Sequence, residues 1–402
     1  MIASVLIFAA TYFVIAVGRL PGYQLDRAGA ALLGAALMIA AGVLDLKSAY
    51  AAIDGDTIAL LLGMMIVVAN LRLSGFFGLA TNQVALRAGH PLVLLGAIIA
   101  VVGVLSAFLV NDAVCLVMTP LVLDLVTRLQ RKPVPYLLGV AIASNAGSVA
   151  TITGNPQNMI IGSLSHIPYA TFAAALAPVA FAGMLLTFGL IAFLYRGEFS
   201  ERLTPGDGGR VFYHRALVIK TLVILGAMVV LFFTGQPVAK VALLGGALLL
   251  FTRRVRPQKV YFEIDWPLLV MFAGLFIVVA GLEKAVLGPQ LIAAAGRLQL
   301  HFLPVLAGVT AVLSNVVSNV PAVLVLKPFV AGLADPQHAW LTVAMASTLA
   351  GNFTLVGSVA NLIVAERARS RGVVIGFWPY FRVGAPLTVL TMVFGAVWLA
   401  WA

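Results

Sequence analysis

The chain has 402 residues, 62% of them hydrophobic and 10% charged, where a soluble domain carries roughly 25% charged residues. That much apolar surface cannot be hidden inside a soluble protein of this size, so a bilayer is the expected solvent. The net charge of +11 does not signal nucleic acid, because the basic residues stand in short clusters between apolar runs, as the positive-inside pattern requires. The single cysteine, Cys115, excludes an intrachain disulfide and a Cys-based zinc site.

In chain order, the first apolar run, Met1 to Val17, lacks a basic start and is followed by Arg19. It reads as a retained span and not as a cleaved signal. Further spans are expected near 28–44, 57–71, 134–164 and 172–195. Lys132 to Arg196 encloses no Asp, Glu, Lys or Arg, and about 20 apolar residues suffice for one crossing. A polar stretch from Arg196 to Arg210 then divides the chain. Beyond it, spans are expected near 216–233, 237–251, 266–282, 339–369 and 379–401.

The two halves align. Ala31–Met38 matches Ala242–Leu249, Ile53-Asp54 matches Ile264-Asp265, and Gly63–Leu71 matches Gly274–Leu282, all at one offset. Ser106, Asn111 and Pro120 match Ser314, Asn319 and Pro328, and Thr151–Asn158 matches Thr354–Asn361. The expected fold is therefore an all-α polytopic membrane protein of two repeats, 1–197 and 215–402, joined by a cytoplasmic linker at 198–214. Five crossings per half is an odd number, so the second repeat must be inverted. Segments 91–127 and 303–331 must enter and leave on one side, as re-entrant hairpins. Segments 134–164 and 339–369 are broken helices.

Charge fixes the expected orientation. With both termini outside, the inner loops hold 20 of the 25 Lys and Arg, among them Arg19, Arg27, Arg72, Arg87, Arg128, Arg131, Lys132, Arg253, Arg254, Arg256, Lys259, Arg367, Arg369, Arg371 and Arg382. Lys47, Lys240, Lys284 and Arg297 fall outside, and Lys327 in a hairpin arm. The opposite orientation reverses this bias.

Non-helical backbone survives at membrane depth only inside protein or along a water-filled cavity, so the helix breaks mark the expected site. The first is Val110-Asn111-Asp112, where Asn111 or Asp112 is expected to cap the following arm and leave its free N–H groups to a polar ligand. Its partner is Ser318-Asn319-Val320-Pro321, with Ser318 or Asn319 as the cap and Pro321 in the first turn. The other two are Thr151-Ile-Thr-Gly154-Asn155-Pro-Gln-Asn158 and Thr354-Leu-Val-Gly357-Ser358-Val-Ala-Asn361. Their unwound carbonyls would suit Na⁺ or a neutral polar solute. Matched breaks in inverted halves are the strongest sequence pointer to a transport site.

Asp112 falls deep in an apolar run, where a charge costs at least ~2.5–3.5 kcal/mol. That depth favours the neutral acid and makes Asp112 the candidate proton carrier; the plainer reading is a cap that orders the hairpin. Lys327 is read as an interfacial lysine or an anion attractor, Cys115 as packing, and His90, His166, His214, His301 and His338 as segment-end residues. No His-Glu-x-x-His, Gly-x-Gly-Asp or Gly-x-x-x-x-Gly-Lys motif occurs, so neither an intramembrane enzyme nor ATP use is expected.

At these residues the sequence resembles the ion transporter superfamily, in its arsenite permease (ArsB), NhaD antiporter and P-protein branch. The likeness rests on Asn111–Pro120, Ser144-Asn145, Gly154–Asn158, Ser318–Pro321 and Thr354–Asn361, and it covers essentially the whole chain. It implies a secondary transporter with a scaffold and a transport part in each half, a site at Asn111, Asp112, Ser318 and Asn319, and completion of that site by the two Thr-x-x-Gly-x-x-x-Asn segments. The related dicarboxylate branch has Ser-Asn-Thr at both tips, and this chain does not. The resemblance therefore implies arsenite or antimonite efflux from a prokaryotic inner membrane, coupled to protons through Asp112. Na⁺/H⁺ antiport, Na⁺-coupled anion transport with Na⁺ at Asn111, Ser318 and Asn319, and a passive anion channel are the alternatives. No cofactor and no nucleic acid are implied; the partners are a small inorganic solute and the bilayer. A homodimer and association with an ATPase subunit are left open.

Overall fold

The computed structural model describes residues 2–18, 22–200, 212–286 and 299–401. Arg19, Arg297 and the centre of the linker lie outside them. All regular structure among the described residues is helical. In the first half the order is α1 (Ile2–Val17), α2 (Arg27–Ala40), the short α3 (Leu46–Ala52), α4 (Gly55–Ser74), α5 (Phe76–Arg87), α6 (Pro91–Phe108), α7 (Asn111–Arg128), α8 (Pro133–Ser148), α9 (Pro156–Ser165) and α10 (Tyr169–Leu194). The second half runs α11 (Arg215–Phe233), α12 (Val238–Leu250), the short α13 (Pro257–Phe262), α14 (Trp266–Val286), α15 (Leu303–Val317), α16 (Asn319–Val330), α17 (Pro336–Ala350), α18 (Val359–Arg369) and α19 (Phe377–Trp401).

Six of these helices, α4, α6, α10, α11, α14 and α19, are long and apolar enough to cross a bilayer. Helices α1, α2, α12, α15 and α16 are apolar but shorter. Helix α6 differs from expectation in length. Its 18 residues rise about 27 Å, enough for a full crossing, yet the chain breaks at Leu109-Val110 and α7 packs back against it. Helix α5 was not expected. Its Thr81, Asn82 and Gln83 interrupt the apolar run that would have signalled it.

Packing between the halves is reciprocal. Helix α2 packs on α14 and α4 on α12. Both contacts close over a glycine. A Cβ on Gly63 would stand 2.4 Å from the Ala242 carbonyl, and one on Gly274 would stand 2.7 Å from that of Ala31. Membrane helices gain little from hydrophobic exclusion against each other, so close backbone approach through small residues supplies the packing. The same reciprocity joins α6 with α8 and α15 with α17, α7 with α18 and α16 with α9, while α10 packs on α19.

Charged side chains meet at helix ends among the described residues. Arg72 meets Glu263, Arg371 meets Asp124, Lys327 lies 3.5 Å from Glu283, and His338 lies 2.6 Å from Asp335. Lys327 is thus an ion-paired helix-end residue. The histidines do sit at segment ends: His90 caps α6 by accepting from the Leu92 N–H, and His166 and His214 flank α9 and α11.

Candidate functional site: a cavity between two hairpin tips

The apolar helices force the two hairpins and the two broken helices to meet where their polar residues can satisfy one another. At the first tip Leu109 is extended, Val110 turns at φ −59° and ψ 117°, and α7 begins at Asn111. At the second tip Ser318 alone separates α15 from α16, with φ at 77° and ψ at 160°. That backbone is uncommon for a residue with a Cβ and is found mostly where surrounding structure holds it in place. Tyr12 of α1 closes over this tip, its hydroxyl donating to the Pro321 carbonyl at 3.3 Å.

The expected caps are corrected here. Val110 occupies the cap position of α7, with no side-chain bond, because Asn111 and Asp112 already lie inside the helix. Ser318 holds the cap position of α16 but makes no capping bond, and Asn319 accepts instead from the Ser314 hydroxyl at 3.0 Å. The tip residues are therefore free of capping duty.

Between the tips lies a cavity of about 50 Å³. Asn111, Asp112, Ser318, Asn319 and Ser358 line it, joined by Arg27 of α2, Gln157 of α9 and apolar residues including Ile15, Phe272, Val320 and Val359. Five of the sequence-derived site residues are thus brought together. Asp112 has neither a hydrogen bond nor an ion pair among the described residues, and the buried Oδ1 of Asn111 has no hydrogen-bond partner. An unpaired buried acceptor costs about 1–3 kcal/mol, and such a group at a cavity wall is available to a solute or cation.

The other seven residues do not line that cavity. Thr151 donates to the Ala107 carbonyl, and Gly154 is pressed against Ser148, where a Cβ would stand 2.1 Å from the carbonyl oxygen. Gly357 is buried against Asn315 and Gly351. Asn155 caps α9 by accepting from the Asn158 N–H at 2.8 Å, and its amide donates to Thr348 at 3.2 Å. Of the carbonyls at the two breaks, expected to be available to a cation, those of Ser148, Thr151, Gly351 and Thr354 are engaged. Asn158 donates to the carbonyls of Ser148 at 3.1 Å and Thr151 at 3.0 Å. Asn361 donates to those of Gly351 at 2.7 Å and Thr354 at 3.4 Å. Two asparagines thus clamp the two breaks in the same way, since buried carbonyls must find donors.

A buried hub links these parts. Asn145 of α8 accepts from Asn111 at 3.0 Å and from the Ser358 hydroxyl at 3.1 Å, and donates to Asn352 at 2.8 Å and Asn361 at 3.1 Å. Across the molecule Thr348 of α17 receives both Asn155 and Gln157, the latter at 3.1 Å. Asn145, Thr348, Asn352, Gln157 and Arg27 were missed as site residues. Arg27 reads in sequence as a loop charge, and Asn145 and Gln157 stand in motifs without marking their partners. Cys115 packs beside the hub, its thiol 3.0 Å from Ser144.

Val359 also forms part of a larger cavity, about 890 Å³, bounded by Leu116, Leu355, Leu362 and Arg367. A small pocket with a few polar groups in a largely apolar wall, enclosed by two hairpins and two interrupted helices of an apolar helical chain, defines a multi-pass membrane transporter. The chain belongs to the citrate transporter family (CitMHS), which matches residues 10–350. It is 32% identical to an uncharacterized transporter of Mycobacterium tuberculosis over 98% of both chains. It is 28% identical to the silicon efflux transporter LSI3 of Oryza sativa, with 93% of this chain and 92% of that one covered. It is 24% identical to the putative transporter arsB of Dictyostelium discoideum, covering 92% and 86%. The YdaH transporter of Alcanivorax borkumensis has a similar fold, with a TM-score of 0.64 at 16% identity over 99% of this chain and 96% of that one. The family and these relatives are transporters, not enzymes.

Proposed function

We propose that this chain is a secondary active transporter that exports a small uncharged oxyacid, arsenite or antimonite, in exchange for protons by alternating access. The observation that carries the reading is the cavity between the tips. Its volume of about 50 Å³ compares with roughly 10–15 Å³ for one water measured in this way. A pocket of that size takes a solute of a few heavy atoms. A tricarboxylate needs more room and more cationic partners than Arg27 alone provides. The walls offer amide and hydroxyl groups, which suit a molecule covered in hydroxyls. Arsenous and silicic acids are both uncharged hydroxy acids in neutral water, and the names of the Dictyostelium and rice relatives point to that class.

In this reading Asn111, Asp112, Ser318, Asn319 and Ser358 bind the solute, together with Arg27 and Gln157. Thr151, Gly154, Asn155, Asn158, Thr354, Gly357 and Asn361 hold the breaks in shape around it. Asp112 carries the proton, because an acid without a fixed partner is free to exchange one. The halves 1–197 and 215–402 act as inverted repeats with about ten crossings and both termini outside a prokaryotic inner membrane. The reciprocal contacts at Gly63 and Gly274 support the repeat. The pairs Arg72–Glu263, Arg371–Asp124 and Lys327–Glu283 support the crossing order, since each joins two segments that this topology places on the same side.

Expression in a host lacking arsenite efflux tests the substrate. Increased arsenite resistance is the expected outcome; unchanged resistance despite membrane expression contradicts it. A second reading, Na⁺-coupled anion transport, is favoured by the unpartnered Oδ1 of Asn111 beside the oxygens of Ser318 and Asn319. It predicts transport that follows a Na⁺ gradient at constant pH.

A further inference from the structure

A second polar cavity, of about 720 Å³, opens at the end of the molecule that carries the Arg72–Glu263 and Arg371–Asp124 pairs. Four arginines line it, Arg72 on α4, Arg128 on α7, Arg367 at the end of α18 and Arg371 in the turn after it, against one acid, Asp124. Arg72 is balanced by Glu263 and Arg371 by Asp124. Arg128 and Arg367 have no ion pair among the described residues. Each sits in the last turn of its helix, where a cation is favoured by the helix dipole. That accounts for each arginine singly, but not for the convergence of two unbalanced arginines from separate helices on one hollow. Below them the wall is apolar, with Leu116 and Val117, and Leu116 and Arg367 continue into the 890 Å³ cavity that borders the central site through Val359.

We infer that this arginine-mouthed cavity binds a phosphate-bearing anion, either free phosphate or the headgroup of an anionic phospholipid. Guanidinium groups match phosphate oxygens in geometry and charge, and basic pockets between membrane helices are known chemistry for anionic headgroups. The bound anion spans α4 and α5 on one wall and α7 and α18 on the other. Helices α7 and α18 also carry Asp112 and border Ser358, so occupancy ties the central site's walls to their surroundings and slows transport. The inference stands apart from the substrate reading.

The test uses the purified full-length protein. Its unfolding temperature is followed against inorganic phosphate in detergent, and then in phosphatidylcholine vesicles with and without phosphatidylglycerol. The expected result is a saturable rise for wild type. Arg128→Gln with Arg367→Gln together should weaken half-saturation roughly 30-fold. That double variant keeps its unfolding temperature in anion-free buffer, which separates lost binding from misfolding. Arg87→Gln, outside the cavity, should titrate like wild type. A rise with inorganic phosphate identifies the free anion, and a rise only with phosphatidylglycerol identifies the headgroup. No rise with either, a rise retained in the double variant, or an equal loss in Arg87→Gln overturns the inference.

Discussion

The two hairpin tips have related sequences and related positions, yet they contribute differently to the cavity. The first spreads its turn over Leu109 and Val110, and supplies an amide and an acid, Asn111 and Asp112. The second makes its turn on Ser318 alone, at positive φ, and supplies an amide and an apolar side chain, Asn319 and Val320. One tip carries the titratable group and the other the backbone strain. The clamps beside them show the opposite behaviour: Asn158 and Asn361 make corresponding bonds across corresponding breaks. The clamp bonds correspond between the halves while the tip side chains do not; under the proposed mechanism a single coupling proton needs a single acid.

The largest effect should come from exchanging the tips' chemistry. In Asp112→Val with Val320→Asp, the acid moves from the first tip to the second, next to Asn319. Transport should fall to background although the protein reaches the membrane, as read from solute uptake by inverted vesicles. Retained transport would show that the tips are interchangeable.

Next come the clamps. Asn158→Ala and Asn361→Ala each remove two bonds from a side-chain amide to carbonyls at a break, at about 0.5–1.5 kcal/mol per hydrogen bond. Losses that differ by no more than about one hydrogen bond, the extra Asn145–Asn361 contact, are expected when the two variants are measured by denaturant unfolding. A large inequality would break the correspondence between the breaks.

Ser318→Gly should relax the second tip, at a strain of order 1 kcal/mol, while Ser318→Ala keeps the strain and removes only the hydroxyl. A higher unfolding temperature for the glycine variant, with weaker solute binding in both, would assign strain to the backbone and binding to Oγ. The smallest effect belongs to Lys327→Gln. Its pair with Glu283 is partly exposed, and such pairs contribute about 0–1 kcal/mol, so stability and transport should change little.

Much of this was legible in the sequence. The breaks at Asn111-Asp112 and Ser318-Asn319 stand out because asparagine, aspartate and proline interrupt otherwise apolar runs, and the structure places all four tip residues on one cavity. What escaped notice depends on three-dimensional partners. Arg27 looks like a loop charge until α2 packs on α14 and brings it to the cavity. Asn158 and Asn361 are expected ligands whose amide N–H groups face carbonyls, and a buried amide has the same sequence signature whether it faces a solute or a carbonyl. Helix α5 was hidden because a helix with polar residues along it carries no long apolar signal.

The central claim is that Asp112 couples proton movement to solute movement through the small cavity. It is tested most directly in proteoliposomes with an entrapped pH indicator, by imposing an arsenite gradient on wild type and on Asp112→Asn. The account predicts arsenite-driven proton flux in wild type and none in the variant. Equal proton flux in both would contradict it.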